Sequence, residues 1–186
     1  MPTTLAIPFV SLLSAGAMLA LTACATSMAP KSAMVDNAAL PEAVRVPAGE
    51  MQKMWTVGVG EITYECREKK DMAGQYEWAF VAPVAALKGA DGQVVGRYYG
   101  GPTWEANDGS RVTGKQVAVA PNQPGSIPLQ LVKAEPASGM GAMQGVSYIQ
   151  RLKTQGGVAP AAACGMANQG ARQQVAYQAD YVFYGR

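Results

Sequence analysis

The sequence contains no histidine. That absence excludes a Ser-His-Asp or Cys-His nucleophile pair and the histidine-containing zinc sites. It also removes the one side chain that ordinarily titrates between about pH 5 and 8. Charge is sparse: 15 basic and 13 acidic residues leave a formal net charge of +2. Such a balance makes no strong field for nucleic acid. Lys69-Lys70 is the only basic pair, and Glu68 and Asp71 flank it, so it reads as a solvated turn. Cysteine is limited to Cys24, Cys66 and Cys164, and no Cys-x-x-Cys occurs. A thioredoxin-like redox pair is therefore not expected. Gly58-Val59-Gly60 opens like a dinucleotide fingerprint, but Thr63 stands where the third glycine belongs and no helical pattern follows. Neither a cofactor nor a metal is expected.

What is present begins with an uncharged apolar stretch from Leu5 to Leu21. A bilayer span needs about 20 apolar residues, so this length fits the apolar region of a secretion signal better. The stretch ends in Leu21-Thr22-Ala23-Cys24, which resembles the lipobox of bacterial lipoproteins. The expectation is cleavage before Cys24 and lipid on its thiol. Met1-Pro2-Thr3-Thr4 departs from the usual signal in carrying no Lys or Arg. The chain then divides into a signal peptide (1–23), a flexible tether (24–39) and one β-rich domain (40–186). Ala25 and Thr26 follow the cysteine, with no Asp. By analogy with lipoprotein sorting, this favours the outer membrane, facing the periplasm. Setting Cys24 aside leaves Cys66 and Cys164, and an even pair in an oxidising compartment reads as one disulfide.

Beyond the tether the pattern is that of strands. Ile62, Tyr64 and Cys66 alternate with Glu61, Thr63, Glu65 and Arg67. Tyr76, Trp78 and Phe80 repeat the alternation. Asp91-Gly92 reads as a hairpin turn between 84–88 and 93–99, and Asn107-Asp108-Gly109 as another leading into 111–119. Segments 127–134, 146–153 and 175–184 follow, the last placing Tyr177, Ala179, Tyr181 and Phe183 on one face. Met51–Val59 fits strand or helix, and Gly58 and Gly60 favour strand. Residues 155–172 read as a long loop around Cys164. The expected fold is all-β: a single-domain β-sandwich or barrel of about eight to ten short strands.

Much of the mature chain is similar to an uncharacterised family, domain-of-unknown-function family 3455. The matching residues include Arg45-Val46-Pro47-Ala48-Gly49, Ile62-Thr63-Tyr64-Glu65-Cys66 and Trp78-Ala79-Phe80. The densest block runs Gly101-Pro102-Thr103-Trp104-Glu105-Ala106, Asp108-Gly109-Ser110 and Gly114-Lys115. Tyr148-Ile149-Gln150-Arg151, Gly156-Gly157-Val158-Ala159-Pro160, Cys164 and Tyr181-Val182-Phe183-Tyr184 close it. The resemblance implies one secreted or envelope domain and brings no reaction. Arg97-Tyr98-Tyr99 stands where family members carry His before their Tyr-rich block.

The block from Trp104 to Ser110 is the foremost binding candidate. An aromatic plane beside Glu105, Asn107 and Asp108, with Tyr98 and Tyr99 upstream, is the equipment of a glycan or small-ligand site. The structural reading is that Asn-Asp-Gly is turn chemistry and Trp104 is core. Glu105 with Asp108 also fits a glycan-acting hydrolase if their carboxyls lie about 5–9.5 Å apart. Met51-x-x-Met54 and Met140-x-x-Met143 invite a copper(I) reading, against which methionine as a gap filler is favoured. Tyr64-Glu65-Cys66 is shared with the β-barrel lysozyme inhibitors of the envelope, which supplies a further alternative. The expected function is a non-enzymatic envelope lipoprotein module. Its partners would be the membrane, through the anchor, and a glycan, small ligand or envelope protein. Nucleic acid is not expected.

Overall fold

The structure, a computed structural model, describes Met1 and residues 34–186. The signal, the lipobox and Cys24 lie outside the described residues. Eight strands form one sheet: β1 (Met51–Lys69), β2 (Met72–Lys88), β3 (Val94–Tyr99), β4 (Thr103–Ala106), β5 (Arg111–Ala120), β6 (Leu129–Ala134), β7 (Tyr148–Gly156) and β8 (Arg172–Gly185). Each pairs antiparallel with the next, and β8 pairs with β1, so the sheet closes into a barrel in sequence order. Closure removes the sheet edges that would otherwise invite pairing with other chains. Among the described residues no α-helix forms, only three short 3-10 turns.

The fold class is as expected, with the barrel chosen over the sandwich. The strand bounds differ more. The two segments expected around Met51–Val59 and Glu61–Arg67 are one 19-residue strand. Residues 72–88 are likewise one strand that absorbs Tyr76–Phe80. A register shift at Thr63/Tyr64 lets these long strands bend around the barrel. Gly58 and Gly60 lie within β1, where neighbouring atoms approach the backbone closely. A Cβ on Gly58 would lie 2.5 Å from the Tyr181 ring, and one on Gly60 would lie 2.0 Å from the Val84 carbonyl oxygen.

Alternation sorts the walls. Inward go Ile62, Tyr64, Leu87, Tyr98, Trp104, Val112, Val132, Ile149, Tyr177, Tyr181 and Phe183, which fill the barrel. Eight-stranded barrels have an interior just wide enough for side chains or one small ligand. The outer wall of β5–β8 is apolar too, with Leu129, Leu131, Leu152, Val182 and Tyr184. It is covered by the segment before β1, through Val35, Leu40, Val44 and Val46. Asn37 fastens this strap, donating to Val46 O and accepting from Val46 N, each at 3.0 Å. Gln150, fully buried beneath it, donates to Val44 O at 2.6 Å and accepts from Tyr184 Oη at 2.8 Å. The domain boundary expected at Leu40 therefore falls inside a segment already packed from Val35 onward.

Candidate functional site

The up-and-down order puts the β1–β2, β3–β4, β5–β6 and β7–β8 connections at one end of the barrel and the other three at the opposite end. Each end opens on a cavity. The first, of about 430 Å³, is lined by Ile62, Tyr64, Phe80, Val81, Pro83, Tyr98, Ile127, Val132, Gln116, Gln130 and Arg151, among others. Its walls are mostly apolar, and Arg151 is the only charged residue on them.

Arg151 reaches this position through register. It sits on β7 opposite Gln130 of β6 and Tyr181 of β8, and the Tyr181 ring is buried in the barrel. Its Nε and one terminal nitrogen donate to the Pro128 carbonyl at 3.3 and 3.0 Å. Among the described residues no carboxylate pairs with it. Its charge is felt by Tyr64, Tyr98, Tyr177 and Tyr181, where it opposes the dominant effect of burial. Burial nonetheless raises all four phenols. Tyr64 Oη donates to Gly157 O at 2.8 Å. Tyr177 and Tyr181 hydroxyls lie 3.3 Å apart. Gln130 donates to Gln116 Oε1 at 2.6 Å across the same mouth. Phe80 stands at the lip, 56% exposed, edge-on to Tyr64.

The lip is built by the cysteines. Beyond Glu65 the β1–β2 hairpin outruns β8. The β7–β8 loop covers this overhang, and the disulfide Cys66–Cys164 ties the two, as expected from the cysteine count. Cys66 N donates to Ala171 O, Gly170 N to Cys66 O, and Trp78 Nε1 to Ala162 O, all at 2.8–2.9 Å. Glu65 bridges Arg67 and Arg172 at 2.7 Å each. Hydrogen bonds from Arg67 and then Arg172 hold its carboxyl down at about 2.

The residues singled out from sequence are dispersed by this geometry. Trp104 is 1% exposed and stacked on Tyr98 inside the barrel, 4.9 Å between centroids. It is core, and its ring is not presented as a platform to an outside ligand. Tyr98 lines the Arg151 cavity from the inside. Tyr99 and Glu105 face outward on the wall, where Tyr99 Oη donates to Glu105 at 2.7 Å and Arg97 pairs with it at 2.8 Å. Asn107 donates to Val94 O at 2.7 Å. Asp108 accepts from Ser110 N and Oγ and from Ala142 N at the other end of the barrel.

The acid/base pair gains no support from this arrangement. Glu105 and Asp108 share no hydrogen-bond partner. Both carboxyls are also lowered: Glu105 by hydrogen bonds from Tyr99 and then Arg97, Asp108 by those from Ser110 and Ala142. Glycosidic cleavage needs one of the pair to be a raised, protonated acid. Asn107 and Asp108 instead line the second cavity, of about 300 Å³, together with Met54, Leu87, Val95 and Met143. One methionine from each Met-x-x-Met thus meets the other there, packed as apolar wall. No group of three or more Cys, Asp or Glu residues able to hold a metal occurs among the described residues.

Residues 47–185 match the model of the family described as "Protein of unknown function (DUF3455)". The chain belongs to this family. The match covers the whole barrel and begins just after the strap. No curated protein and no solved structure matches the chain. The family description names no function, so function has to be read from the two ends of the barrel.

Sequence reasoning missed Arg151. In the sequence it is one arginine in Gln150-Arg151-Leu152, and alternation alone leaves open which neighbour faces inward. The apolar outer wall under the strap reversed the usual cue: Gln150 and Leu152 are the outward pair, and the charged residue is the inward one.

Proposed function

We propose that this barrel is a non-enzymatic binding module that takes a small amphipathic anion in its Arg151 mouth. The reading rests on one observation: an arginine without a carboxylate partner among the described residues heads an otherwise uncharged, largely apolar cavity. Arg carries five donors in a planar fork, and Pro128 O occupies only two of its nitrogens. The remaining donors suit a carboxylate or another oxyanion. Ile62, Phe80, Val81, Pro83 and Val132 suit an alkyl or aryl body. A volume of about 430 Å³ falls within the range of about 300–1,000 Å³ typical of small-molecule sites. The Leu21-Thr22-Ala23-Cys24 lipobox supports a lipid-anchored placement in a bacterial envelope, where such a module would hold or carry its ligand near a membrane.

Calorimetric titration of the purified mature chain with medium-chain alkyl and aryl carboxylates, against matched neutral alcohols, tests this. The expected result is binding of the carboxylates that weakens by at least about tenfold in Arg151→Gln, the scale of one charge-assisted hydrogen bond. Equal binding of acids and alcohols, or no dependence on Arg151, would refute it.

A further inference from the structure

The opposite end of the barrel carries a second arrangement that the Arg151 mouth does not use. Thr56 faces inward on β1, level with Tyr181 of β8. It is fully buried, lines the 300 Å³ cavity, and its hydroxyl has no hydrogen-bond partner among the described residues. Buried side-chain hydroxyls are nearly always hydrogen-bonded, so a group beyond the described residues is needed to complete this one. Around it the walls are Met54, Leu87, Val95 and Met143, which are apolar and, at the two thioethers, polarisable.

Asp108 stands at the lip of the same cavity. Its Oδ1 accepts from Ser110 N at 2.8 Å and Ser110 Oγ at 2.5 Å, and its Oδ2 accepts from Ala142 N at 2.8 Å. A carboxylate has about four acceptor positions, so one remains on Oδ2. These bonds also keep the group ionised. Among the described residues no Lys or Arg pairs with it. The β6–β7 loop is moulded to this carboxylate: a Cβ on Gly141 would lie 2.2 Å from its Oδ2.

We propose that this end is a second binding site, specific for a small apolar amine. The ammonium group pairs with Asp108 at the lip. The hydrocarbon body lies against Met54, Leu87 and Met143. A hydroxyl or the amine itself completes Thr56. The site is independent of the Arg151 mouth and has the opposite charge preference.

The test uses the purified mature chain and a set of probes of equal carbon count: n-alkylamines, 1-amino-n-alkanols, n-alkanols and n-alkanoates. Binding is followed by calorimetry, and the location by amide chemical shifts. The amines and amino alcohols are expected to bind and to shift residues 54–56 and 141–143. Affinity is expected to fall by at least about tenfold in Asp108→Asn and to fall also in Thr56→Val, which preserves side-chain shape. Arg151→Gln is expected to leave amine binding unchanged while weakening the alkanoates. Asp108 also holds a turn, so Thr56→Val keeps the test open if Asp108→Asn fails to fold. The site is refuted if amines and alkanols bind alike, if both variants retain amine affinity, or if Thr56 is satisfied by an ordered water and no amine binds. Loss of alkanoate binding alone would count against the Arg151 reading and leave this one standing.

Discussion

The two ends of the barrel are made by the same device, alternate turns of an eight-stranded meander, but they are restrained differently and carry opposite charge. At the Arg151 end the β1–β2 hairpin and the β7–β8 loop overhang the opening and are tied by Cys66–Cys164 and by Glu65 between two arginines. At the Asp108 end no covalent tie occurs among the described residues. A carboxylate gathers the β4–β5 and β6–β7 turns through Ser110 and Ala142 instead. Between them lies a floor of Tyr98, Trp104, Tyr177 and Tyr181. One closed sheet therefore presents two wells that share a floor and are free to select different chemistry.

The sharpest break in that comparison is removal of the disulfide. The bridge joins residues 98 apart in sequence, and losing such a bridge typically costs about 2–5 kcal/mol. Cys66→Ser with Cys164→Ser is expected to lower the unfolding free energy by that order, read from chemical denaturation. Amide exchange is expected to quicken across 157–171 and to stay slow at 106–112 and 141–143. Equal quickening at both ends would show that the bridge acts on the whole barrel and not on one lip.

The next effect is chemical. Arg151→Gln is expected to weaken alkyl carboxylates by about tenfold or more, with the Asp108 end unaltered. Stability should change little or rise slightly, because the variant removes a charge that has no carboxylate partner among the described residues. Chemical denaturation read beside calorimetry separates the two results.

Acid sharpens the comparison further. The Glu65 carboxyl titrates near 2 in the folded chain, against an ordinary 4.5. A depressed acid stabilises the fold above its ordinary value, and that contribution drains away as pH falls from about 4.5 toward 2. Its partners join the hairpin to the start of β8, so the Arg151 lip is expected to loosen in this window before the barrel opens. Amide exchange of 170–172 as a function of pH reads it, and Arg172→Gln should flatten the profile. Asp108 is also lowered, chiefly by its hydrogen bonds from Ser110 and Ala142, so its own turn should loosen as well on acidification.

The class of fold was legible because the inward face of β1 alternates cleanly through Ile62, Tyr64 and Cys66, and that of β8 through Tyr177 to Phe183. Barrel over sandwich was not legible, since closure depends on β8 meeting β1, a pairing between the ends of the domain that local pattern does not record. Strand β4 escaped because Thr103–Ala106 is short and three of its four residues are buried, which blurs alternation. The site was harder still. Trp104 attracted notice as an aromatic beside carboxylates, yet a period of two sends neighbours to opposite faces: Trp104 inward, Glu105 outward. Proximity in sequence along a strand is therefore poor evidence for proximity at a site. Arg151 was hidden by the strap, which makes the outer wall apolar and so cancels the cue that charge faces out.

The smallest expected effect tests that last point directly. Glu105 faces outward, partly covered by Arg97 and Tyr99, and lies outside the linings of both cavities. Exposed pairs of this kind contribute little, because water screens them and two long side chains must be held in one geometry. Glu105→Gln removes the charge while keeping an acceptor for Tyr99. It is expected to leave alkanoate binding, amine binding and the denaturation midpoint within error of the parent chain. Loss of binding at either end would mean that the outer wall takes part after all. The sequence block around Trp104 would then deserve the role that the inward and outward alternation of β4 denies it.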